Sequence, residues 1–487
     1  MDEKKVSVKR QPNKTERIME KYGAFVALAV FGLLYFMPLP FGMEPVGQKS
    51  LAIFFFALIM WVAKPIPIYL TSLIVILMLP VTGAVAKSKD AFGTLGFEVI
   101  WLMVAAFVLT SAMNQTNLGK RFALTMVTKY GRTPTSLLAV LVGVNFALAF
   151  FVPSTTARAA LIVPIVLILL EIYQSIPGES QFGKLLMLQG IQNNHLATSM
   201  IMTATSGQVI AIGFINEMTG AGLGYMDWLI GSMPQAILTA VIMFIIGLKI
   251  FKPENLKADM KAVNESMKKQ LSELGAMTTR EKKAAFYFAL TLFLWATGDY
   301  HEAIVGFEFN TTQTAVLSMI LMLMPKIGVI EWKQADIKWD LMLFSAGAYA
   351  AGNALNDSGG ATWIIDKMVN GMGIEQLSHS LVAVILIFIS VFSHLVFTSK
   401  TVRTTILIPA VVTLAYSLNM DPVPLALAVS FGIAYTPTLP PHSKVNTLYF
   451  STGYFSVLEQ LFYGLIMCLV GSIMISLVYF LWLPIVM

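Results

Sequence analysis

The sequence has 487 residues, of which 56% are hydrophobic and only 12% are charged, whereas soluble domains carry about 25% charged residues. This composition excludes an ordinary soluble enzyme and indicates an all-α polytopic membrane protein, since runs of about 20 apolar residues span a bilayer as helices. The net charge of +6 does not indicate a nucleic-acid partner, because that function needs a basic face on a folded soluble domain.

The first 21 residues are a charged segment with seven Lys and Arg side chains. They lack the short apolar core and cleavage site of a secretory signal, so we expect residues 1–21 to be a cytoplasmic tail. Cys468 is the only cysteine, which excludes a disulfide within one chain. The histidines show no metal-binding spacing, and we predict neither a metal site nor a cofactor.

Thirteen apolar runs follow the tail, and two of them, 134–173 and 378–418, are about twice as long as one crossing. We interpret these two as re-entrant hairpins that enter and leave on the same side, which leaves about eleven transmembrane helices. Two full spans in each long run are the alternative. The runs lie at residues 22–42, 47–63, 65–86, 98–117, 134–173, 186–215, 226–252, 284–298, 311–330, 339–356, 378–418, 422–447 and 455–487.

The same eleven-residue motif lies near the centre of both long runs. The stretch from Ser154 to Pro164 returns 245 residues later as Ser399 to Pro409, with Ser, Thr, Arg and Pro at the same four offsets. We expect Pro153, Pro164 and Pro409 to help break the helices there. An ionisable group at membrane depth costs roughly 3 kcal/mol or more and marks a site or pathway. Ionisable groups at matching positions in two halves of the chain predict an internal repeat with the site at the interface between the repeats. The alternative is two hairpins that share only Ser and Thr helix caps.

The run after each hairpin contains residues that interrupt a helix. Met202–Gln208 combines hydroxyl side chains with a glycine, and Tyr435–His442 contains three prolines. Both stretches are predicted to unwind within the membrane and to aim the positive ends of half-helices at an anion. For the first stretch, the alternative is a continuous helix whose hydroxyl groups bond back to their own turn.

Lys and Arg in short loops set the predicted orientation. They place the N-terminus and the hydrophilic linker 253–283 in the cytoplasm and the C-terminus outside, with Lys87 and Lys89 as exceptions. The second copy of the motif then begins on the opposite side of the membrane from the first. The two halves are therefore predicted to form an inverted repeat whose hairpin tips meet near the midplane.

The predicted site combines hydroxyl groups with fixed cations and lacks carboxylates, which suits a small dianion. For Arg158 and Arg403 the alternative is structural pairing with backbone carbonyls, and for His442 it is a structural donor. The predicted substrate-binding residues are Ser154, Thr155, Thr156, Thr205, Ser206, Ser399, Lys400, Thr401, Thr438 and Pro440. The predicted charge-compensating residues are Arg158, Lys400, Arg403 and His442.

These features resemble the divalent anion/sodium symporter (DASS) family, the INDY-type di- and tricarboxylate carriers. The resemblance covers roughly residues 20–487 and rests on Lys64-Pro65-Ile66-Pro67-Ile68, the Ser-x-Thr tips and the interrupted spans. It implies a homodimer with an elevator mechanism, in which a transport domain carries the site past a fixed scaffold. The implied domains are tail 1–21, scaffold 22–132, transport domain 133–252, linker 253–283, scaffold 284–377 and transport domain 378–487.

The tips depart from the family pattern, which is Ser-Asn-Thr, because this sequence has Thr155 and Lys400 in place of the two asparagines. The family's Thr-Pro-Pro-type signature is matched loosely by Leu439–His442. In the family the tips and breaks bind Na⁺ as well as substrate, and a fixed ammonium near such a pocket repels the ion. Na⁺ can leave with the substrate but Lys400 cannot, so an empty carrier would have to move unpaired charge through a dry barrier.

We therefore predict Na⁺-independent exchange of C4 and C5 dicarboxylates, such as 2-oxoglutarate, succinate or malate. The alternative is a Na⁺-coupled dicarboxylate symporter whose sodium sites use backbone carbonyls, so Na⁺ is possible but not favoured. A membrane-embedded hydrolase that uses Ser399 and Lys400 is a distant alternative, since neighbours on an extended turn tend to point apart. A channel is a further alternative, and we predict that the protein is not an enzyme.

Overall fold

The computed structural model describes residues 14–40, 42–131, 133–152, 154–253, 260–307, 309–372 and 376–487. Within these residues the chain forms α-helices and short 3-10 turns and no β-strand, so the predicted all-α class is confirmed. Pro153, residues 1–13 of the predicted tail and residues 254–259 of the predicted linker lie outside the described part of the chain.

The helices follow the apolar runs, with five additional helices (α4, α6, α12, α14 and α17) that the run pattern did not predict. In chain order they are α1 (Lys14–Phe36), α2 (Pro45–Ala63), α3 (Ile68–Val81), α4 (Ser88–Phe92), α5 (Glu98–Asn114), α6 (Leu118–Tyr130), α7 (Pro134–Phe151), α8 (Thr155–Ile172), α9 (Gln181–Met200), α10 (Ser206–Thr219), α11 (Tyr225–Phe251), α12 (Met260–Glu273), α13 (Thr279–Ala296), α14 (His301–Val305), α15 (Thr311–Leu323), α16 (Trp339–Asp357), α17 (Gly360–Met372), α18 (His379–Phe392), α19 (Lys400–Ser417), α20 (Pro422–Ile433), α21 (Lys444–Phe450), α22 (Val457–Leu481) and α23 (Leu483–Val486).

Several of the helical segments are suited to a membrane. Six stretches in the described residues are long and apolar enough to cross one, namely Arg17–Phe36, Pro45–Ala63, Ser88–Asn114, Thr155–Ile172, Tyr225–Phe251 and Val457–Leu481. Five shorter apolar helices accompany them in the described residues, including the first arm of each hairpin and the helix before the second break. The chain is therefore a multi-pass membrane protein.

Each long apolar run contains two helices that are separated at the repeated motif. Helix α7 ends just before the first motif and α8 begins at Thr155, while α18 and a 3-10 turn precede α19, which begins at Lys400. Pro164 and Pro409 lie inside α8 and α19, so the prediction that these two prolines break the helices is wrong. The buried neighbours of each proline hold the helix together through packing, which offsets the loss of one backbone hydrogen bond.

The run after each hairpin is interrupted where the Gly, Thr and Pro residues cluster. Helix α9 ends at Met200 and α10 begins at Ser206, with one 3-10 turn between them. Helix α20 ends at Ile433 and α21 begins at Lys444, and the intervening segment contains the three prolines. The first stretch is therefore not a continuous helix, because its backbone at Thr205 is extended, with φ −156° and ψ 147°.

The chain divides into two compact units. One unit contains the residues up to Leu95 together with Trp339–Asp366, and the other contains Gly96–Lys338 and Lys367–Met487. In the first unit α3 packs closely on α16, where the indole of Trp61 donates to the hydroxyl of Ser72 (3.2 Å) and that hydroxyl donates to a carbonyl of α16 (3.2 Å). All residues of the predicted site lie in the second unit.

The second unit is built around α9, which is buried along nearly its whole length although it carries many amide side chains. Burial of polar groups is tolerated when they are hydrogen-bonded. Gln189 donates to the carbonyl of Met243 (2.7 Å), and Gln192 donates to the carbonyl of Tyr463 (3.1 Å). Asn194 donates to the carbonyl of Thr155 at the first hairpin tip (3.1 Å). Helix α9 therefore connects the first hairpin to helices from both halves of the chain.

Candidate anion-binding site

The two hairpins and the two interrupted helices are paired crosswise. Helix α8 of the first hairpin packs on α21, which follows the second break, and α19 of the second hairpin packs on α10, which follows the first break. A Cβ atom added at Gly207 would lie 3.3 Å from Oγ1 of Thr404 and 3.6 Å from Cβ of Lys400. The absence of a side chain at Gly207 therefore lets the start of α10 lie directly against the second hairpin tip.

The tips and the second break line a common pocket of about 290 Å³. The lining residues are Thr155, Thr156, Thr398, Lys400, Pro441, His442, Ser443 and Lys444. Four of the predicted site residues are thus brought together from segments that are far apart in sequence. No Asp or Glu is among the lining residues, while the pocket presents two ammonium groups and several hydroxyl groups.

The serines at the start of each motif serve as helix caps. The Oγ atom of Ser154 accepts a hydrogen bond from the backbone N–H of Ala157, and Oγ of Ser399 accepts one from the backbone N–H of Val402, each at 3.3 Å. These bonds satisfy donors that would otherwise be unpaired in the first turns of α8 and α19. The positive ends of both helices are consequently located at the tips, next to the pocket.

The two motif arginines are buried behind the pocket and do not line it. Arg158 is 0% exposed and Arg403 is 1% exposed. Arg158 donates to the carbonyls of Val152 (3.0 Å) and Asn194 (3.4 Å) and to the hydroxyl of Thr198. This contact set matches the alternative of structural pairing with carbonyls, and it connects the hairpin turn to α9.

Arg403 has a corresponding set of partners in the second half. It donates to the hydroxyl of Ser393 (3.0 Å), to the carbonyl of Ser390 (3.4 Å) and to the carbonyl of Ile433 at the end of α20. In the described part of the chain neither guanidinium forms an ion pair with a carboxylate. Carbonyl and hydroxyl groups are their partners among the described residues, so both guanidiniums keep a net positive charge that raises the potential around the pocket.

Thr438 lies away from the pocket, fully buried in a chain of hydrogen bonds. His394 donates from Nδ1 to the carbonyl of Val391 (2.6 Å), so its Nε2 accepts from the hydroxyl of Thr438 (2.9 Å). That hydroxyl oxygen in turn accepts from Nδ1 of His442 (2.9 Å). This arrangement favours a supporting role for Thr438 over the predicted role as a direct ligand, because its hydroxyl is already bonded to two histidines, one of which lines the pocket.

The other predicted residues do not line the pocket. Ser206 lines a separate small cavity together with side chains of α5. Thr205 begins α10 without a side-chain cap, and Thr401 is buried in the first turn of α19. Pro440 is buried, and its carbonyl accepts from the hydroxyl of Thr447 (2.9 Å).

A larger cavity of about 770 Å³ lies elsewhere in the same unit. Its lining includes the carboxylates of Glu98 and Glu217 and no Lys or Arg. Carboxylates repel an anion, so the larger cavity is a poor match for a dianion despite its size. The smaller pocket at the tips is the better candidate.

Two residues that the sequence analysis set aside contact the site. His195 lies next to Lys400, and His394 orients His442 through Thr438. Both histidines are 0% exposed. The only signal in the sequence was that each is an ionisable residue inside an apolar run, which by itself marks a functional position.

Comparison with known proteins gives a consistent picture. Residues 19–487 match the family described as the sodium:sulfate symporter transmembrane region. The sodium-dependent dicarboxylate transporter SdcS of Staphylococcus saprophyticus is 27% identical over 497 residues, which is 97% of this chain and 94% of that protein. The L-tartrate/succinate antiporter of Escherichia coli K12 is 26% identical over 485 residues, which is 94% of this chain and 97% of that protein.

A solved structure has a similar fold. The YdaH transporter of Alcanivorax borkumensis matches with a TM-score of 0.51 over 97% of this chain and 98% of that chain, at 9% sequence identity. At this identity the likeness concerns the fold alone.

Proposed function

This chain belongs to the divalent anion/sodium symporter (DASS) family of membrane transporters, to which the sodium:sulfate symporter description refers, and on that premise we propose that it exchanges C4 and C5 dicarboxylates without Na⁺. The observation that carries the proposal is Lys400, whose ammonium group lines the tip pocket where no carboxylate is present. An ammonium ion and a helix N-terminus both favour a bound carboxylate.

The fixed charge is the reason to propose exchange rather than uptake. Arg158, Lys400 and Arg403 remain in the protein when the substrate leaves, and no described carboxylate pairs with them. Moving an empty site through the membrane would carry unpaired charge through a medium of low dielectric, which is unfavourable. A bound dianion lowers that cost, so the return movement requires a substrate.

A Na⁺-coupled symporter is the second candidate. It is favoured by the relative SdcS, whose name states sodium dependence and whose identity to this chain is similar to that of the antiporter. Backbone carbonyls at the two helix breaks would be the sodium ligands in that case, because the tips lack the asparagine amides of the family pattern.

The remaining features of the transport model are part of the same proposal. They comprise about eleven crossings with two re-entrant hairpins, a cytoplasmic N-terminus and linker, an external C-terminus, and an elevator movement in a homodimer. The crosswise packing of each hairpin on the helix after the opposite break supports a single site shared by the two halves.

Counterflow in proteoliposomes tests the proposal. Vesicles loaded with succinate, malate, 2-oxoglutarate or no dicarboxylate are diluted into trace labelled succinate, with and without Na⁺. We expect labelled succinate to accumulate only in loaded vesicles, and to the same extent with and without Na⁺. Na⁺-driven accumulation in empty vesicles would establish the symporter instead, and transport of a sugar or cation without any dicarboxylate transport would reject both candidates.

A further inference from the structure

His195 is a buried residue of α9 that faces the cation of the second hairpin tip. Its Nδ1 atom lies 3.5 Å from Nζ of Lys400. This residue comes from the first half of the chain, 205 positions before the lysine. The contact therefore joins the interrupted helix of one half to the hairpin tip of the other.

The proton position on His195 follows from the orientation of Asn446. The amide nitrogen of Asn446 donates to the carbonyls of Thr436 (2.7 Å) and Leu439 (2.8 Å), both in the second break. The amide oxygen is therefore the atom directed at Nε2 of His195, at 2.9 Å. Because that oxygen can only accept, Nε2 carries the proton and Nδ1 presents a lone pair.

The lone pair on Nδ1 has two donors within reach. One is the ammonium of Lys400 at 3.5 Å and the other is the hydroxyl of Thr436 at 3.4 Å. Lys400 has three N–H donors on a flexible stem, so one bond to a fixed acceptor restricts the stem and leaves two donors for the pocket.

We propose that His195 is the positioning residue for Lys400: held as the Nε2–H tautomer by Asn446, it accepts one N–H of the ammonium and directs the other two into the tip pocket. The inference rests on the proposed function, since the group that the ammonium meets there is a substrate carboxylate. His195 sets how tightly the carboxylate is bound, while Lys400 makes the contact.

Two substitutions of His195 separate the two nitrogen atoms. In His195→Asn the side-chain oxygen can take the place of Nδ1, so the acceptor for Lys400 is kept. In His195→Gln the amide takes the place of Nε2, so the bond to Asn446 is kept and the acceptor is lost. We expect His195→Gln to raise the KM for succinate in counterflow about tenfold, with a smaller change in maximal rate, because a bond to a charged donor is lost.

The rescue by asparagine distinguishes positioning from simple packing. We expect the KM of His195→Asn to remain within about threefold of the wild-type value, since its acceptor survives. His379→Gln is the matched control, because His379 is exposed at the start of α18 and lies outside the pocket. In a Lys400→Met background, His195→Gln should leave the succinate dissociation constant of the purified protein unchanged, because His195 then has no ammonium to position. Substitutions at independent sites would instead have additive effects on the binding free energy.

Three results would contradict the positioning role of His195, and a fourth would also reject the proposed function. Equal KM values for wild type and His195→Gln, or equal defects in the Gln and Asn variants at normal thermal stability, would overturn the positioning role and leave the exchanger proposal intact. A His195→Gln effect of the same size with and without Lys400 would also overturn it. Wild-type protein inactive with every dicarboxylate would reject the proposed function and the inference together.

Discussion

The two halves of the chain carry the same motif but differ in what surrounds it. The first tip has Thr155 at its middle position and the second has Lys400. The first break is a short segment with one 3-10 turn, whereas the second is longer and brings His442 to the pocket. Yet the residues that begin α10 and α21 have nearly the same backbone angles, with φ −156° and ψ 147° at Thr205 and φ −154° and ψ 146° at Ser443.

The two halves share the contacts that hold each hairpin in place and differ in the polar groups that they bring to the pocket. Each serine caps its hairpin helix, and each arginine connects its hairpin to the following interrupted helix. Those contacts occur in both halves. In the part of the chain that the structure describes, the tip lysine and the histidine chain through Thr438 occur only in the second half. The repeat therefore supplies the same framework twice, and the second copy supplies the ammonium at the tip.

The largest effect is expected for the shared arginines. Arg158→Met and Arg403→Met each leave several buried acceptors without a donor, and we expect each to lower stability by about 3 kcal/mol. Arg158→Lys keeps the charge but cannot reach all three acceptors, so it should lose nearly as much. Thermal unfolding in detergent measures this. A methionine variant with normal unfolding but a raised KM would mean that the guanidinium acts as a charge for the substrate and not as a structural tie.

The next effect concerns the position at which the tips differ. Lys400→Asn removes the ammonium from the pocket, and we expect the rate of dicarboxylate exchange at low substrate to fall about 10- to 100-fold, the equivalent of one charged hydrogen bond. Some dependence on Na⁺ should also appear, because the repelling charge is gone. Thr155→Asn is the matched change in the first tip and should cost less than tenfold. Unchanged kinetics in Lys400→Asn would show that this lysine does not face the substrate.

The smallest effect is expected at the two helix starts that share backbone angles. The hydroxyl of Ser443 accepts from the backbone N–H of Val445 at 3.2 Å, whereas Thr205 makes no such cap. Ser443→Ala should therefore lower stability by about 1 kcal/mol and Thr205→Ala by less than half of that. Denaturation of the purified variants compares the two, and an equal loss at both positions would show that the cap is not what distinguishes them.

The sequence by itself determined the class of protein, the repeat and its family. Low charge content and long apolar runs require a multi-pass helical membrane protein, and the repeated motif with its Ser, Arg and Lys residues marks the site and the resemblance. These signals are local, because hydrophobicity, proline content and cap residues act over one or a few helical turns. Lys400 and His442 each lie in such a local pattern, which is why both were predicted as site residues.

Only the tertiary structure decided which polar groups face the pocket and which support it. The hydroxyl of Thr438 is hydrogen-bonded to two histidines, and the guanidinium groups of Arg158 and Arg403 donate to backbone carbonyls. Pro164 and Pro409 continue their helices because packing compensates for the lost bond. His195 meets Lys400 from 205 residues away. Such pairings depend on long-range packing, which brings donors and acceptors together from distant parts of the chain, and no local pattern encodes them.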